Sequence, residues 1–492
     1  MGVRNITMRG LVASGLALAL ACGGGSSTEE GEENAATTEG GETIRTAGGA
    51  AVNVEAHNDW TDGLRLYSQY DEQGWNEERC AAVISKFEEA NEAQGGSFAE
   101  ALYMAGLVSQ KCSDTSKARE FYRQALRVAE QAYQTARREN RSLPGNGPLC
   151  KARVALALLD MEAGRGQGAR QAFERAVRED PQCTSAYVNL AILQREAGGE
   201  QEAEALRNLR RALAIESDYL PAFNQMALLH YSRGLRRGGG ASLDLAEVVC
   251  RQAQLIDRNY APIYNTWGLV KIKKGDVIEA LRYFERAIAL DDDMYEGHMN
   301  FGQVTLSFRG YQDARRSFAK AVELKPDSYE AHVGLGAALR GLEQFAEAKA
   351  QYERAIEIDG NRPEAYFNLG LLYQSYMGGD SMAATIANLE RAKTYFNTFL
   401  SKAGNSPRYA DAVRDVRNRC RELSRRRRRG RNSNRRYAAN CRPGRLQVID
   451  DTIAALREAE QMQREAEQMQ REAAAQQRQM EQQAQEGQPE SE

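Results

Sequence analysis

The sequence repeats itself every 34 residues, and this period restricts the possible folds more than any other feature of the 492-residue chain. Three sets of small residues recur at that step, namely Ala246, Ala280, Ala314 and Ala348; Ala253, Ala287, Ala321 and Ala355; and Gly268, Gly302, Gly336 and Gly370. Within each unit the spacings of three and four residues indicate helices, and Gly275, Gly310 and Gly341 separate two helices as turn residues. Each unit is therefore predicted to be a pair of helices that buries its apolar face against neighbouring pairs.

Larger residues occupy fixed places in the same repeat. They stand between the paired alanines and directly before each glycine: Cys250, Phe284, Phe318 and Tyr352, and Trp267, Phe301, Leu335 and Leu369. This pattern resembles the tetratricopeptide repeat (TPR) family, in which small residues let the two helices of a unit approach closely and large ones fill the space between units. The resemblance implies an all-α helix-turn-helix solenoid over residues 58–407, with about nine units in place of the roughly three domains that length alone suggests.

The TPR resemblance also implies a concave surface lined by the first helix of each unit. At the positions that line this surface in the family, the chain carries mostly apolar residues: Val188, Ile192, Leu228, Leu269, Ile272, Met299, Leu306, Val333, Phe367 and Leu371. Such a groove suits an amphipathic helix or an extended segment of a partner protein. The chain's own C-terminal segment is an alternative occupant that the sequence leaves open.

Residues 1–21 are predicted to be an export signal. Two arginines precede an uncharged apolar run, Leu11 to Ala21, which is too short for a membrane-spanning helix. The small residues directly before Cys22 resemble the bacterial lipoprotein motif, which implies that Cys22 is acylated, and Gly23 favours the outer membrane in that family. We therefore expect a protein that is lipid-anchored at the outer membrane and faces the periplasm. An ordinary secretory signal is the alternative.

Residues 22–57 are rich in Gly, Ser, Thr, Ala and Glu and show no hydrophobic period. Seven glutamates lie in this segment against a single arginine, Arg45. A segment of this composition buries too little apolar surface to offset its ordering entropy, so it is predicted to be a flexible acidic tether.

Export permits disulfide bonds, and seven of the eight cysteines remain for pairing once Cys22 is set aside. The repeat suggests two pairs, Cys80 with Cys112 and Cys150 with Cys183, and Cys420 with Cys441 is a third candidate because these two cysteines flank the arginine segment. Unpaired packing residues are the alternative for each pair. Cys250 stands where other units carry Phe or Tyr, so it is predicted to be a buried thiol.

Two segments directly follow the repeats. Residues 408–424 are predicted to be a capping helix, because their apolar residues form a single helical stripe. The loop 425–445 belongs to an arginine-rich tract, since residues 414–445 hold 14 arginines and two acidic residues, with a consecutive run of Arg425, Arg426, Arg427, Arg428 and Arg429. This run is a candidate site for anionic lipid, lipopolysaccharide or an acidic protein surface. A solvated loop closed by Cys420 and Cys441 is the alternative.

Residues 446–485 are predicted to form one long helix or coiled coil. The segment Glu460–Ala466 recurs identically as Glu467–Ala473, and Ala and Met residues follow a heptad spacing. Because this stripe lacks Leu and Ile, the oligomeric state stays open. A second apolar edge near the start of the helix suits docking on the solenoid, and residues 486–492 are predicted to be disordered.

The sequence holds no catalytic constellation. His298 and His332 occupy a regular helix position of successive repeats, and the glycine-rich turns lack the Lys-Ser/Thr of a phosphate-binding loop. We therefore predict no enzymatic activity, no cofactor and no metal. The balance of 65 Lys and Arg against 68 Asp and Glu argues against a nucleic-acid partner. A hydrophobic content of 42% excludes both a fully disordered chain and a polytopic membrane protein.

These expectations predict a non-enzymatic scaffold that binds envelope proteins through its groove and the membrane through its N-terminal lipid. In its arrangement of lipoprotein motif, tether, repeats and Gln-rich tail, the chain is similar to the TPR lipoproteins of gliding-motility complexes. Two alternatives remain: a pilotin-like assembly factor for a secretin or pilus, and an accessory or glycan-binding module of polysaccharide export.

Overall fold

The computed structural model describes residues 36–38, 41–45, 51–141, 145–236, 238–417 and 444–486. These residues form twenty α-helices, one 3-10 helix and three short β-strands, which confirms the predicted helical TPR-type solenoid. They group into two compact units that divide between Tyr283 and Phe284.

The unit that ends at Tyr283 begins with a small sheet and continues as helices. Its elements are β1 (Ala36–Thr38), β2 (Gly41–Arg45), β3 (Ala51–Asn53), α1 (Val54–Gln73), α2 (Glu77–Ala93), α3 (Ala99–Lys111), α4 (Thr115–Arg138), α5 (Pro148–Glu162), α6 (Gly166–Glu179), α7 (Thr184–Ala197), α8 (Gln201–Ile215), α9 (Leu220–Gly234), α10 (Gly240–Ile256) and α11 (Ala261–Lys274). The division between the units lies inside α12 (Val277–Leu290).

The unit that begins at Phe284 is helical throughout its described residues. It holds the end of α12 and then α13 (Tyr295–Ser307), α14 (Tyr311–Leu324), α15 (Tyr329–Gly341), α16 (Phe345–Ile358), α17 (Glu364–Ser375), α18 (Met382–Ala403), a 3-10 helix (Pro407–Tyr409), α19 (Ala410–Val416) and α20 (Arg445–Glu486). Helices α1 to α18 thus follow one another as nine consecutive pairs along the chain, in agreement with the predicted number of repeats.

The recurring spacing of small and large residues explains how the two helices of a pair approach each other. Ala314 and Ala348 are fully buried at the start of α14 and α16. Gly336 of α15 lies against the ring of Tyr352 of α16, where an added Cβ would stand 2.6 Å from Cε1. Gly370 of α17 lies against the ring of Phe396 in the same way. An aromatic ring in one helix therefore requires a glycine in the other, which is the coupling that the 34-residue period reflects.

The N-terminal boundary differs from the sequence prediction. The tether was expected to extend through residue 57, but β3 ends at Asn53 and α1 begins at Val54. Asn53 caps α1 by accepting a hydrogen bond from the Ala56 backbone N–H at 2.8 Å, and its side-chain amide donates to the Ala93 carbonyl at 2.6 Å. Val52 is buried in an apolar cluster with residues of α1–α5. The prediction of a flexible tether is therefore wrong for residues 51–57, which one buried valine and one capping asparagine fix, and for residues 36–38 and 41–45, which pair as strands β1 and β2 with β3.

The C-terminal cap also differs from the prediction. A single helix was expected over 408–424, whereas the structure has a 3-10 turn and then α19, which ends at Val416. The long helix α20 agrees with its predicted bounds of 446–485, and its buried Ile449 and Ile453 pack in the cluster of α17–α19. Lys393 of α18 donates to Asp450 of α20 at 2.6 Å. The apolar edge of α20 that holds Ile449 and Ile453 therefore docks on α18 and α19, in agreement with the predicted docking on the solenoid.

Several predictions lie outside the described residues: the export signal 1–21, Cys22, the Cys420–Cys441 pair, Arg425–Arg429 and residues 487–492. Among the helices that are described, none has a stretch long and apolar enough to cross a bilayer.

Candidate protein-interaction surface

The ten residues predicted to line an open groove are not exposed. Ile272 is half-buried, and the other nine are buried side chains. Val188 and Ile192 of α7, for example, belong to one apolar cluster with residues of α8 and α9. Phe367 of α17 packs on Phe399 of α18 with ring centroids 5.1 Å apart. The prediction that these residues form an open apolar groove is therefore wrong.

The helix arrangement gives the physical reason. Within each unit, first helices contact their own second helix and also the next first helix, as α13 does with α14 and α15, and α15 does with α16 and α17. Apolar side chains on both flanks of a first helix therefore face protein, and burying them is favourable by about 25 cal/mol per Å². Spacing alone cannot separate a residue that faces a neighbouring helix from one that faces solvent.

The asparagines that recur in the first helices are also buried. The side-chain amide of Asn189 donates to the Ser185 carbonyl at 2.8 Å, and that of Asn368 donates to the Glu364 carbonyl at 3.0 Å. Each thus bonds to the carbonyl one turn earlier in its own helix. These two asparagines satisfy buried polar groups inside the stack rather than presenting donors to a partner.

The histidines of successive repeats have equivalent surroundings. Nε2 of His298 lies 2.8 Å from the Asp292 carbonyl oxygen, and Nε2 of His332 lies 3.0 Å from the Pro326 carbonyl oxygen. Both rings are buried, as the core-packing interpretation of the sequence expected. Each ring holds the turn that precedes its helix.

The structure joins Cys80 to Cys112 and Cys150 to Cys183 by disulfide bonds, with Cα–Cα distances of 6.3 and 5.6 Å. These are two of the pairs derived from the repeat. Cys150 lies in the first turn of α5 and Cys183 directly precedes α7, so this bond ties together the starts of two consecutive first helices. Cys250 is a buried free thiol, and burial raises its pKa.

The same places in later repeats carry tyrosine. Tyr295, the first residue of α13, has its hydroxyl 2.6 Å from the Ser328 hydroxyl directly before α15. Tyr329, the first residue of α15, lies under the guanidinium of Arg362, whose Cζ is 4.0 Å from the ring centroid. The hydroxyl of Tyr329 also accepts from the Ala365 backbone N–H at 2.9 Å. Tyrosine contacts therefore connect consecutive first helices in this unit.

Glu364 is the buried carboxylate at the end of that series. It is 1% exposed, it accepts from the Tyr409 hydroxyl at 2.8 Å, and it lies 3.0 Å from Nη2 of Arg408. Burial and the negative charge of Glu364 raise the pKa of Tyr409 to about 12. This cluster attaches the 3-10 turn and α19 to the last repeat.

Charged side chains on the first helices are partly withdrawn from solvent. Burial raises the pKa of the Glu100 carboxyl of α3 and lowers the pKa of the Arg195 guanidinium of α7. Lys271 of α11 lies 3.0 Å from Glu247 of α10 and 2.6 Å from Glu279 of α12. Burial disfavours the charged lysine, but the two carboxylates outweigh it and raise the pKa of Lys271. Lys271 is thus committed to contacts between helices.

One exposed feature was missed at the sequence level. Leu245, Val248 and Leu255 of α10 are 50%, 59% and 68% exposed. Large apolar side chains at three solvent-facing places of one helix are a sign of an interaction surface. The signal lay in the repeat itself, because comparing the outward positions of successive second helices would have singled out α10.

No cluster of three or more His, Cys, Asp or Glu side chains suited to a metal ion occurs in the part of the chain that the structure describes.

The helix pairs and their packing define the chain as an α-helical repeat protein. Family models of the tetratricopeptide repeat match residues 99–131, 154–219 and 261–294, and a further TPR repeat model matches residues 338–375. These four segments are therefore tetratricopeptide repeats.

Solved structures of TPR proteins are similar to parts of the chain. A thermophilic TPR protein of Thermus thermophilus, TTC0263, is 27% identical, covers 39% of this chain and 99% of its own, and has a TM-score of 0.36. A tetratricopeptide repeat protein from Parabacteroides merdae is 15% identical, covers 54% of this chain and 97% of its own, and has a TM-score of 0.35. YrrB, described as a TPR protein with an unusual peptide-binding site, is 21% identical, covers 40% and 96%, and has a TM-score of 0.29. No curated protein sequence matches the chain significantly.

Proposed function

We propose that the chain is a non-enzymatic protein–protein interaction scaffold that is anchored to the outer membrane by lipid on Cys22 and faces the periplasm. There it organises an envelope machine such as a gliding-motility complex. The observation that carries the scaffold role is the series of nine helix pairs, because a stack of such pairs builds an extended binding surface from small modules.

Two further features support the location. The small residues before Cys22 resemble a lipoprotein motif, and multiple acyl chains on one cysteine hold a protein stably in a membrane. The pairs Cys80–Cys112 and Cys150–Cys183 support a compartment outside the cytoplasm, since disulfides persist in oxidising surroundings.

The anchor is tested by membrane fractionation of the full chain with single substitutions. Cys22→Ala removes the acylated side chain and is expected to release the protein from outer-membrane vesicles. Gly23→Asp keeps the acylation site and serves as the matched control. It should stay bound to membrane but move to the inner membrane, since Asp at this place favours the inner membrane in lipoproteins. A Cys22→Ala chain that still floats with outer-membrane vesicles would contradict the anchor.

The role is tested by crosslinking intact membranes and recovering the tagged chain. We expect motility-complex components in the crosslinked material and expect their loss with the Cys22→Ala chain. Recovery of secretin subunits would support the pilotin-like alternative instead. Recovery of polysaccharide synthases without motility or secretin components would reject the proposed role.

A further inference from the structure

Helix α10 is apolar on two opposite faces. Leu243, Ala246, Cys250 and Ala253 face the interior and are buried. Since successive residues of a helix are about 100° apart, Leu245, Val248 and Leu255 lie on the other side of the same helix, where all three are exposed. Ile256 at the end of α10 and Ile278 at the start of α12 are exposed as well. Only one of the two faces is needed for packing inside the stack.

The other second helices do not share this outer face. At the repeat position of Leu245, the four second helices α8, α12, α14 and α16 carry acidic residues: Glu204, Glu279, Asp313 and Glu347. At the position of Val248 they carry Arg207, Arg282, Arg316 and Ala350. At the position of Leu255 they carry Ala214, Ala289, Glu323 and Glu357. The repeat therefore tolerates polar residues at all three places, and their replacement by large apolar residues in α10 has no role in forming the helix pair.

The spacing of the outer face indicates what covers it. Ala241, Leu245, Val248, Gln252 and Leu255 follow steps of four, three, four and three residues. This is the spacing of a coiled-coil seam, in which the apolar residues of one helix insert between those of a second helix. The surface is thus shaped for another helix.

Charge identifies the second helix and its direction. Asp244 lies in the first turns of α10, Arg251 lies five residues before its end, and Arg258 lies two residues beyond it. All three are exposed, and Asp244 also accepts a hydrogen bond from Lys274 of α11 at 2.9 Å. Two copies of α10 that pack antiparallel bring Asp244 of each copy beside Arg258 of the other, whereas a parallel pair places Asp244 beside the apolar Val249. The antiparallel pair also places Leu245 opposite Leu255. The apolar seam and the two Asp244–Arg258 pairs are therefore complementary to themselves, as a two-fold interface requires.

We propose that the outer face of α10 is a homodimer interface, in which α10 of a second copy of this chain packs antiparallel across a two-fold axis. Arg251 lies midway between Asp244 and Arg258, so it comes beside its own counterpart at the axis. Nη2 of Arg251 lies 3.6 Å from Glu247, and this carboxylate reduces the repulsion between the two arginines. The interface involves one helix face per copy, so the dimer dissociates on dilution. This proposal does not depend on the location or the pathway proposed above.

The first test is a disulfide crosslink in the full chain, with Cys250→Ala as the background. Arg251→Cys is expected to form a crosslinked dimer under mild oxidation at least about ten times faster than Glu285→Cys. Glu285 is the matched control, because it is exposed and occupies the same repeat position in α12. Equal crosslinking rates for the two variants would overturn the proposal.

The second test measures the molar mass of the full chain by light scattering over a range of concentrations. Val248→Arg introduces the residue that three other second helices carry, so it leaves the fold intact, which far-UV circular dichroism verifies. It is expected to yield a monomer. Asp244→Arg is expected to weaken the dimer at least about tenfold, and Asp244→Arg combined with Arg258→Asp is expected to restore it.

Three results would overturn the proposal. The first is a wild-type chain that stays monomeric at every concentration. The second is a dimer that survives Val248→Arg. The third is a dimer that is lost with Met462→Glu in the exposed stripe of α20 but retained with Val248→Arg, which would assign self-association to the C-terminal helix.

Discussion

Consecutive first helices are joined by a covalent bond in one part of the molecule and by polar and aromatic contacts in another. Cys150 and Cys183 stand 33 residues apart and form a disulfide. Tyr295 and Ser328 have the same separation and form a 2.6 Å hydrogen bond. Both pairs tie the start of one first helix to the start of the next. The comparison indicates that the same junction between first helices is joined by different chemistry in these two repeats.

The two solutions respond to different conditions. A disulfide stabilises chiefly by restricting the unfolded chain, and it fails when the bond is reduced. A buried hydrogen bond contributes about 1 kcal/mol net, and it fails when a partner is removed or ionised. The four predictions below test this difference, beginning with the largest expected effect.

Removal of the Cys150–Cys183 bond should have the largest effect. The double substitution Cys150→Ser and Cys183→Ser should lower local stability by about 3–4 kcal/mol, because a loop of this length gains conformational entropy when opened. Hydrogen exchange of the α5–α7 amides measures the loss, while the α13–α15 amides serve as the internal control. Reduction of the wild-type chain should reproduce this loss and add a second one at α2–α3, where Cys80–Cys112 is opened as well. Equal acceleration in both regions would contradict a local role.

Substitution of Glu364 should have the next largest effect. Glu364→Gln leaves the Tyr409 hydroxyl and Arg408 beside a neutral amide in a buried site, and it should lower stability by about 1–3 kcal/mol. Glu330→Gln is the matched control. Glu330 pairs with Arg362 in a more exposed setting, so its loss should cost less than about 1 kcal/mol. Equal losses in urea unfolding of the two variants would refute the special role of Glu364.

The hydrogen-bonded counterpart of the disulfide should have a smaller effect. Ser328→Ala removes the bond to Tyr295 and also the cap that Ser328 forms with the Ala331 backbone N–H, for a loss of about 1–2 kcal/mol. Ser381→Ala removes only a cap, to the Ala384 backbone N–H. The difference between the two variants isolates the Tyr295 bond. No difference would mean that this bond adds nothing to the junction.

The last prediction concerns high pH, because Tyr409 is expected to cause no loss of stability at neutral pH. The pKa of Tyr409 is raised to about 12 by burial and by Glu364, against about 10 in an unfolded chain. The stabilising free energy that protonated Tyr409 contributes to the folded state is therefore fully present below pH 10, and it is lost as the pH rises towards 12. Thermal unfolding of the full chain should show a decrease over that interval that is smaller in Tyr409→Phe. An identical decrease in both chains would exclude Tyr409 as a source.

The sequence was sufficient to predict the structure wherever a residue position has a single physical role. The glycine and alanine positions predicted the helix pairs, because close approach of two helices admits only small side chains there. The repeat phase of Cys80, Cys112, Cys150 and Cys183 predicted two pairs, since residues at equivalent edges of neighbouring units come close together. The bounds of α20 followed from an uninterrupted heptad pattern.

The sequence was insufficient wherever the role depends on a neighbour that is distant along the chain. Val188 and Phe367 fit a groove and a core equally well by spacing, and only the adjacent helices decide between these. The start of α1 depends on Asn53 and its contact with Ala93, 40 residues away. The end of α19 at Val416 does not follow from the stripe that continues to Leu423.

The C-terminal helix has a consequence for distance. Its first turns are fixed to α18, whereas every residue from 461 to 480 is exposed. At about 1.5 Å per residue, those 20 residues extend roughly 30 Å as a straight rod. A helix of this kind acts as a spacer of set length, so anything bound near its end is held at a defined reach from the last repeat.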